Sequence, residues 1–594
     1  MSALALTLGR ATPVDALPDI YPLENVRPGQ KGYGISVFYG FKIERFEVEV
    51  IDVMHNFLPK QSIILMKADH PVLRKTGVVG GMSGSPIYID GKMVGALAYG
   101  WRFAKEPIIG VTPIQNMLDL LKLKPRGKSK AAYVDRRYGN PEGVSPLRLN
   151  PQNDAWWKLP KPRLGLIAGR GTNSNHANLI PATVPLSAAG FSREGLAVLK
   201  EIFTPYGFEP MIGGGTGRAE GPTRFQTGGA IAVQLVTGDL SLAGTGTVTW
   251  ADEKRALGFG HRMFNAGELY VPVATARVHH TLASVARSMK ISSPARQIGF
   301  LSQDRQAGIL AEMGPNLPMI PMTITTRQGK KTRVFKVRLA RHRVLTPSLA
   351  ASVISSALSE GLPDVARMSY DMKTTIQVKG YPTLEFKDQN FSGTGARMSV
   401  PFSRGLMVLR PILDNPFTNA HIEKIAVDIN VHYGVDVLAI DSIRVNSSEV
   451  APGSRINLAV TYRPFDGARF TKTYPLTIPA SLAGSVISLK VAGGSQVRPN
   501  LPRPETLGQY LKLLQIRHPG RSLVVSLNSP TKGLKLRGAV IRDLPASVID
   551  SLYTATKVEA RKAFKTVQQH VINTPQLIRG KQEIRLRVTN DIER

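Results

Sequence analysis

The chain of 594 residues contains no cysteine. Disulfide bonds, thiolate zinc sites, iron–sulfur clusters and cysteine nucleophiles are therefore excluded. No apolar run approaches the roughly 18 residues that a membrane-spanning helix needs, so no transmembrane span is predicted. No His-Glu-x-x-His helix occurs, and the glycine-rich stretch 213–217 lacks the Gly-Lys-Ser/Thr ending of a phosphate-binding loop. We therefore predict neither a metal site nor a cofactor.

Acidic residues are scarce beside basic ones, with 43 Asp and Glu against 76 Lys and Arg and a formal net charge of +33. Such an excess favours an anionic partner, either nucleic acid or a lipid or polymer surface. Residues 486–594 carry 19 basic and 7 acidic side chains, and residues 126–163 carry 9 and 3. No helix-turn-helix, zinc-finger spacing or basic–aromatic platform is present. An anionic surface bound by the basic C-terminal region is therefore favoured over nucleic acid.

The pattern of apolar residues predicts a mainly β protein. Phe46, Val48 and Val50 alternate with acidic residues, which is typical of a half-buried strand. Asp90-Gly91 between two apolar runs predicts a two-residue hairpin turn. Helices are predicted near 114–121, 192–203 and 555–571. A basic face on the last helix would comprise Lys557, Arg561, Lys562 and Lys565.

The same pattern divides the chain into segments. The segment 420–485 predicts an immunoglobulin-like β-sandwich without a cysteine pair. The N-terminal residues are interpreted either as the remnant of an export signal or as an ordinary flexible terminus. The predicted organisation is an N-terminal segment 1–31, a serine-bearing half 32–121, a basic linker 122–163, a connecting region 164–227, a histidine-bearing half 228–345, a connecting α/β region 346–419, the sandwich 420–485 and a basic C-terminal region 486–594.

The most informative motif surrounds Ser83, in the stretch GGMSGSPI from Gly80 to Ile87. Glycines beside a serine let a substrate backbone approach closely, and free N–H groups can face a developing oxyanion. The Gly-x-Ser-Gly-x-Pro pattern resembles the nucleophile turn of trypsin-like proteases. That resemblance implies an oxyanion hole formed by the N–H groups of Gly81 and Ser83. A glycine-rich β-turn with capping serines is the alternative interpretation.

A serine nucleophile needs a base that is held by a third group. His261 stands at the end of a predicted strand, beside Gly260, and is the candidate base. Asp69, fourteen residues before Ser83, is the candidate orienting carboxylate. The alternatives are an ordinary strand-end histidine and a turn aspartate.

Two blocks of sequence resemble the stage IV sporulation protein B (SpoIVB) peptidase family. The first block contains Gly81 to Ile87, the Gly91-Lys92 hairpin and Val94-Gly95-Ala96, and the second contains 238–241, 246–249 and 258–261. Together they cover about 32–114 and 228–265. The resemblance implies a trypsin-like serine endopeptidase in which Ser83 attacks the scissile carbonyl, His261 moves the proton and Asp69 orients the imidazole.

The chain departs from that family in three ways. The serine block precedes the histidine block by 178 residues, which is the reverse of the family's order. The spacing from Asp69 to Ser83 is one residue shorter than in the family, and no PDZ module precedes the serine block. The predicted fold is therefore a trypsin-like double β-barrel with its two half-barrels in permuted order, followed by the sandwich and a mixed α/β C-terminal region.

Three functional hypotheses follow. The first is a serine endopeptidase acting on a protein or peptide substrate, periplasmic or secreted, with a processing or signalling role in the cell envelope. The second is an inert protease-like scaffold or envelope-associated binding protein. The third is a nucleic-acid-binding protein, which the charge distribution disfavours.

Overall fold

The computed structural model of the chain describes residues 17–101, 104–123, 180–215, 220–315, 317–360, 367–392, 403–497, 504–536, 539–542, 547–548 and 559–589. Strands predominate over helices in these ranges, so the prediction of a mainly β protein is confirmed. Most of the predicted basic linker 122–163, from residue 124 onward, lies outside the described residues.

The first part of the chain forms a closed ring of six strands. Its elements are β1 (Lys31–Tyr39), β2 (Lys42–Leu58), β3 (Gln61–Asp69), α1 (Pro71–Thr76), β4 (Pro86–Ile89), β5 (Lys92–Gly100), β6 (Ile108–Pro113) and α2 (Ile114–Leu118). The strands pair in the order β1-β2-β3-β6-β5-β4, and β4 pairs back with β1. We call this ring, residues 31–113, the serine barrel. The predicted hairpin turn is confirmed, because Asp90 and Gly91 both have positive φ between β4 and β5.

A short connection follows the serine barrel. Its elements are β7 (Ile180–Pro181), β8 (Val184–Ala189), α3 (Arg193–Phe203) and β9 (Phe208–Ile212). Strand β7 adds to β5 of the serine barrel, whereas β8 and β9 join the next sheet. The predicted helix near 192–203 is confirmed as α3, which begins after Ser192 because the Ser192 side chain accepts from the Gly195 N–H.

A second ring of six strands lies within a larger sheet. It comprises β10 (Ala230–Gly238), β11 (Ser241–Ala251), β12 (Arg255–Gly258), β13 (Gly267–Leu282), β14 (Met289–Arg305) and β15 (Gly308–Met313). The strands pair in the order β10-β11-β12-β15-β14-β13, and β13 pairs back with β10. This neighbour order is the same as that of the serine barrel. We call this ring, residues 230–313, the histidine barrel.

The sheet continues beyond the histidine barrel and is covered by helices. The additional elements are β16 (Ile320–Gln328), β17 (Lys331–Leu339), α4 (Leu345–Ser359), β18 (Met368–Val378), β19 (Leu384–Ser392), α5 (Arg404–Met407), α6 (Leu409–Leu413) and β20 (Ile422–Tyr433). Strand β20 lies between β16 and β18. It was predicted as the first strand of the sandwich, but the structure places it in this sheet instead.

Two further sheets share one hydrophobic core in the C-terminal part. Their elements are β21 (Val437–Arg444), β22 (Glu449–Val450), β23 (Arg455–Pro464), β24 (Phe470–Thr477), β25 (Val486–Gly493), α7 (Leu507–Gln515), β26 (Ser522–Leu536), β27 (Ala539–Arg542), β28 (Glu559–Asn573), β29 (Leu577–Arg579) and β30 (Lys581–Val588). Buried side chains from both sheets, among them Leu458, Tyr462 and Leu489, form that core.

The predicted helix over 555–571 is wrong in its described part, because residues 559–573 form strand β28. The strand pairs with β26 along its length. Val567 and Val571, which were expected on the buried face of a helix, are 38% and 44% exposed. Pairing with a neighbouring strand favours β-branched residues and overrides a helical spacing of apolar residues. None of the helices in the described ranges is both long and apolar enough to cross a bilayer.

Candidate functional site

Ser83 lies on a tight turn between α1 and β4. Gly81 and Gly84 on either side of it each have φ of +96°, a backbone conformation that suits glycine. The Gly84 N–H donates to the Leu97 carbonyl of β5 over 2.7 Å, which ties the turn to the barrel wall. The Ser83 side chain is completely buried.

The histidine barrel holds this turn from the other side. The Thr247 N–H donates to the Ser83 carbonyl over 2.7 Å, and the Thr247 hydroxyl donates to the Gly81 carbonyl over 3.0 Å. The Thr249 hydroxyl donates to the Gly84 carbonyl over 2.8 Å. All three donors belong to β11, so one strand of the histidine barrel fixes the position of the whole turn.

His261 follows β12, the third strand of its barrel. Phe259 and Gly260 before it both have φ of +66°, and this sharp bend directs the imidazole toward the serine barrel. The His261 Nε2 lies 3.0 Å from the Ser83 Oγ. The Nδ1 lies 2.7 Å from the Arg262 carbonyl oxygen. A carbonyl only accepts, so Nδ1 carries the proton and Nε2 is free to accept from the serine hydroxyl.

Burial is the main cause of an altered pKa at His261. Removal from solvent lowers the pKa of the imidazole from 6.5 to about 4, although hydrogen bonding to the main chain of Arg262 and of Ala182 acts to raise it. The ring is therefore neutral near pH 7, which is the protonation state that a general base needs.

The structure does not bring Asp69 to His261. Its two carboxylate oxygens bind the Arg74 guanidinium, each over 2.7 Å, and its side chain is 51% exposed. This ion pair lowers the pKa of Asp69. At the His261 Nδ1 the structure has the Arg262 carbonyl oxygen, so the place predicted for Asp69 is occupied by the main chain.

The two N–H groups predicted for the oxyanion hole are available. Met82 and Ser85 on the same turn donate their N–H groups to the carbonyls of Val79 and Met82. By contrast, the N–H groups of Gly81 and Ser83 have no acceptor within the part of the chain that the structure describes. Free backbone donors on a glycine turn beside a nucleophile are what stabilisation of an oxyanion requires.

Asp304 was missed by the sequence analysis. It lies at the end of β14 and is completely buried. Its carboxylate accepts the N–H groups of Met263, Phe264 and Ala266 over 2.8, 2.7 and 3.1 Å. Burial raises the pKa of Asp304, and these three donors oppose the rise. An aspartate before a hairpin turn is ordinarily a turn residue, so nothing local in the sequence marks Asp304 as the anchor of the loop that follows His261.

Lys290 was also missed. Its side chain is completely buried and packs against Gly81, and its Nζ donates to the Ser36 hydroxyl over 3.0 Å. The Ser36 and Ser85 hydroxyl oxygens lie 2.9 Å apart. Burial lowers the pKa of Lys290 from 10.5 to about 7. A buried amine is thus connected through two serines to the turn that carries Ser83.

The site is closed to solvent. The side chain of His261 is only 2% exposed, and strand β7 lies against β5 beside it. A cavity of about 670 Å³ is lined by residues that include Asp371, His432 and Arg521, and it contains neither Ser83 nor His261. In the described ranges, no group of three His, Asp or Glu side chains is arranged to hold a metal ion.

In a comparison with known protein families, the serine-bearing part of the chain matches one family. Residues 19–118 match the family model described as SpoIVB peptidase S55, so the resemblance of the first sequence block is confirmed. The match covers the serine barrel with Ser83 and ends before His261. No curated protein and no solved structure matches the chain.

Proposed function

We propose that the chain, which belongs to the SpoIVB peptidase family through its residues 19–118, is a serine endopeptidase that hydrolyses peptide bonds through an acyl-enzyme on Ser83. One observation carries the proposal: the imidazole of His261 accepts from the Ser83 hydroxyl over 3.0 Å, although the two residues stand 178 positions apart. A nucleophile and a base within hydrogen-bonding reach are the signature of this chemistry.

The mechanism follows from the protonation states. Ser83 Oγ attacks the scissile carbonyl carbon while its proton passes to the His261 Nε2. The N–H groups of Gly81 and Ser83 stabilise the oxyanion. As the tetrahedral intermediate collapses, Nε2 returns the proton to the leaving amine. Water then attacks the acyl-enzyme while His261 takes its proton, and Nε2 returns that proton to Ser83 Oγ as the ester bond breaks and the carboxyl product leaves.

The group that orients the imidazole is a carbonyl in this proposal. The Arg262 oxygen holds Nδ1–H and fixes the tautomer, as a carboxylate does in a triad. Its partial charge stabilises the imidazolium less than a full negative charge would. We therefore assign the catalytic roles to Ser83 and His261, with Asp304 anchoring the loop after His261.

A trypsin-like double barrel in permuted order is part of the proposal. Two rings with the same strand order support it, as does the position of His261 after the third strand of one ring and of Ser83 before the fourth strand of the other. We further propose an immunoglobulin-like sandwich that begins after β20, the segment boundaries predicted before the sandwich, a role in the cell envelope and contact with an anionic surface.

Covalent labelling tests the proposed function. A fluorophosphonate probe is expected to label Ser83, as located by peptide mass spectrometry, and Ser83→Ala is expected to abolish the label. His261→Gln is expected to slow labelling at least a hundredfold, because the base is removed. The matched control is Ser85→Ala, which changes the other buried serine of the turn and is expected to retain the label. Undiminished labelling of Ser83→Ala would contradict the proposal.

A further inference from the structure

A segment of the chain lies on the edge of β5 next to Ser83. Strand β7 pairs antiparallel with β5, with Pro181 opposite Tyr99 and Ile180 opposite Gly100. Immediately after it, the Ala182 N–H donates to the Ala98 carbonyl over 2.8 Å. This segment thus uses the edge of β5 as an extended peptide uses a sheet edge in strand addition.

The edge begins where the serine turn ends. The Leu97 carbonyl accepts from Gly84, the residue after Ser83, and the carbonyl of the next residue, Ala98, accepts from Ala182. Ala182 also packs in one buried cluster with Met82 and Leu97. A peptide bonded to Ala98 therefore lies directly beside the nucleophile turn.

The chain then continues along the turn. A methyl group added at Gly80 would lie 2.8 Å from the Thr183 carbonyl oxygen, and one added at Gly81 would lie 3.2 Å from the ring of Pro185. The main chain of Ala182 also interacts with the ring of His261. Residues 182–185 therefore pack against the turn that carries Ser83, and both Ser83 and His261 are buried.

We propose that residues 180–182 occupy the substrate strand site of the peptidase, as a tethered segment that keeps the site closed, and that substrates are extended peptides which replace it on the edge of β5. The inference rests on the proposed function. Ala182 is buried in the same cluster as Met82 and Leu97, so a substrate has a small side chain at that position. The pairing of this segment with β5 involves only two residue pairs and the hydrogen bond from Ala182 to Ala98. Local opening of the segment therefore breaks few interactions.

The absence of cysteine permits a direct test of access. Ser83→Cys supplies the only thiol of the full-length chain. The thiol reacts with iodoacetamide without any catalytic activity of the protein, so the reaction rate reports access to the site. Adding Ala182→Pro removes the N–H that binds the Ala98 carbonyl, and the rate is expected to rise at least tenfold. Adding Ala182→Gly retains that N–H and is the matched control, with a rate within about twofold of Ser83→Cys. Equal rates for the Pro and Gly variants would overturn the inference.

A second variant covers the case in which Ala182→Pro does not fold. Gly100 and Ile180 are directly paired in the antiparallel register. Such pairs have Cα–Cα distances of about 4.5–5.5 Å, which is within the range of a disulfide. In Gly100→Cys/Ile180→Cys, with Ser83 intact, oxidation is expected to lower fluorophosphonate labelling at least tenfold relative to the reduced protein. Labelling that is the same in both states would overturn the inference.

The two proposals fail in different ways. If the thiol rates differ as expected while no folded variant with Ser83 acquires the fluorophosphonate, the segment does close the site but the serine is not a nucleophile. If the wild-type chain labels rapidly and the thiol rates are equal, the peptidase assignment stands and the closing segment does not.

Discussion

At the scale of single residues, the site combines groups from distant parts of the chain whose protonation is set by burial. The His261 tautomer is determined by a main-chain carbonyl on the neighbouring residue. That carbonyl is held in place by a loop, and the loop is held by Asp304 through three backbone N–H groups. Asp304 is thus a positioning residue that acts through the loop after His261.

Asp304→Asn is expected to slow fluorophosphonate labelling of Ser83 about tenfold or more in molecules that remain folded. The amide replaces one carboxylate oxygen by an NH₂ group, which cannot accept, so at least one loop N–H loses its partner at a cost of about 1–3 kcal/mol. Labelling rates and thermal unfolding measured together check this expectation.

Asp252→Asn is the matched control for Asp304→Asn. Asp252 is also buried and accepts the N–H groups of Lys254 and Arg255, but it lies at the turn between β11 and β12. Its substitution is expected to lower the unfolding temperature while leaving the labelling rate of folded molecules unchanged. If the two variants slow labelling equally, Asp304 has no positioning role.

At the scale of elements, the turn from Gly80 to Ser85 is the joint between the two barrels. On one side, it bonds to β5 of the serine barrel. On the other, it bonds to β11, and the main chain of Gly80 exchanges hydrogen bonds with that of Ser288 and Lys290 near the start of β14. The nucleophile turn is therefore also a main-chain contact that fixes the position of one barrel against the other.

Gly84→Ala is expected to abolish both the docking of the turn and the labelling of Ser83. A methyl group at Gly84 would lie 2.0 Å from the Thr247 carbonyl oxygen and 2.4 Å from the Phe259 nitrogen, both of which are backbone atoms. The matched control is Gly91→Ala, which also has positive φ but has no atom within 4 Å of the added methyl group. The control is expected to cost about 1 kcal/mol of strain and to retain the label. Unfolding temperatures and labelling yields that are the same for both variants would contradict this role of Gly84.

At the scale of the whole molecule, three buried bases make stability depend on pH. Folding lowers the pKa of His261 and that of His342 to about 4, and the pKa of Lys290 to about 7. Between pH 4 and 6.5 the unfolded state binds the protons that the two folded histidines do not bind, so the free energy of unfolding falls as the pH falls. Between pH 7 and 10.5 the same argument applies to Lys290, so the free energy of unfolding rises with pH.

Denaturant unfolding at a series of pH values checks both windows. Across each window the free energy of unfolding is expected to change by a few kcal/mol. His261→Gln is expected to lower the slope of the acidic window by about half, because His342 contributes to the same window, and Lys290→Met is expected to flatten the alkaline window alone. Slopes that both variants leave unchanged would contradict the assignment of these windows.

The local features of the site and of the serine barrel can be read from neighbouring residues in the chain. Alternating apolar residues identified strands of the serine barrel, Asp90-Gly91 identified its hairpin, and the glycine-flanked serine identified the nucleophile turn. These features depend on residues that are close in the chain, where period and φ preference are readable. The separation of His261 from Ser83 by 178 residues left their contact as a hypothesis that rested on the family resemblance.

The groups that complete the site are known only from the folded chain. There, Asp69 forms an ion pair with Arg74, and the Arg262 carbonyl forms the hydrogen bond with His261. Asp304, Lys290 and residues 180–182 also lie at the site. The fold also makes residues 559–573 a strand, because β26 offers them a partner along its length. Burial, strand pairing and the hydrogen bonds of Asp304 to the loop after His261 arise between distant segments. No local pattern records them, and they set both the protonation of the site and its closure.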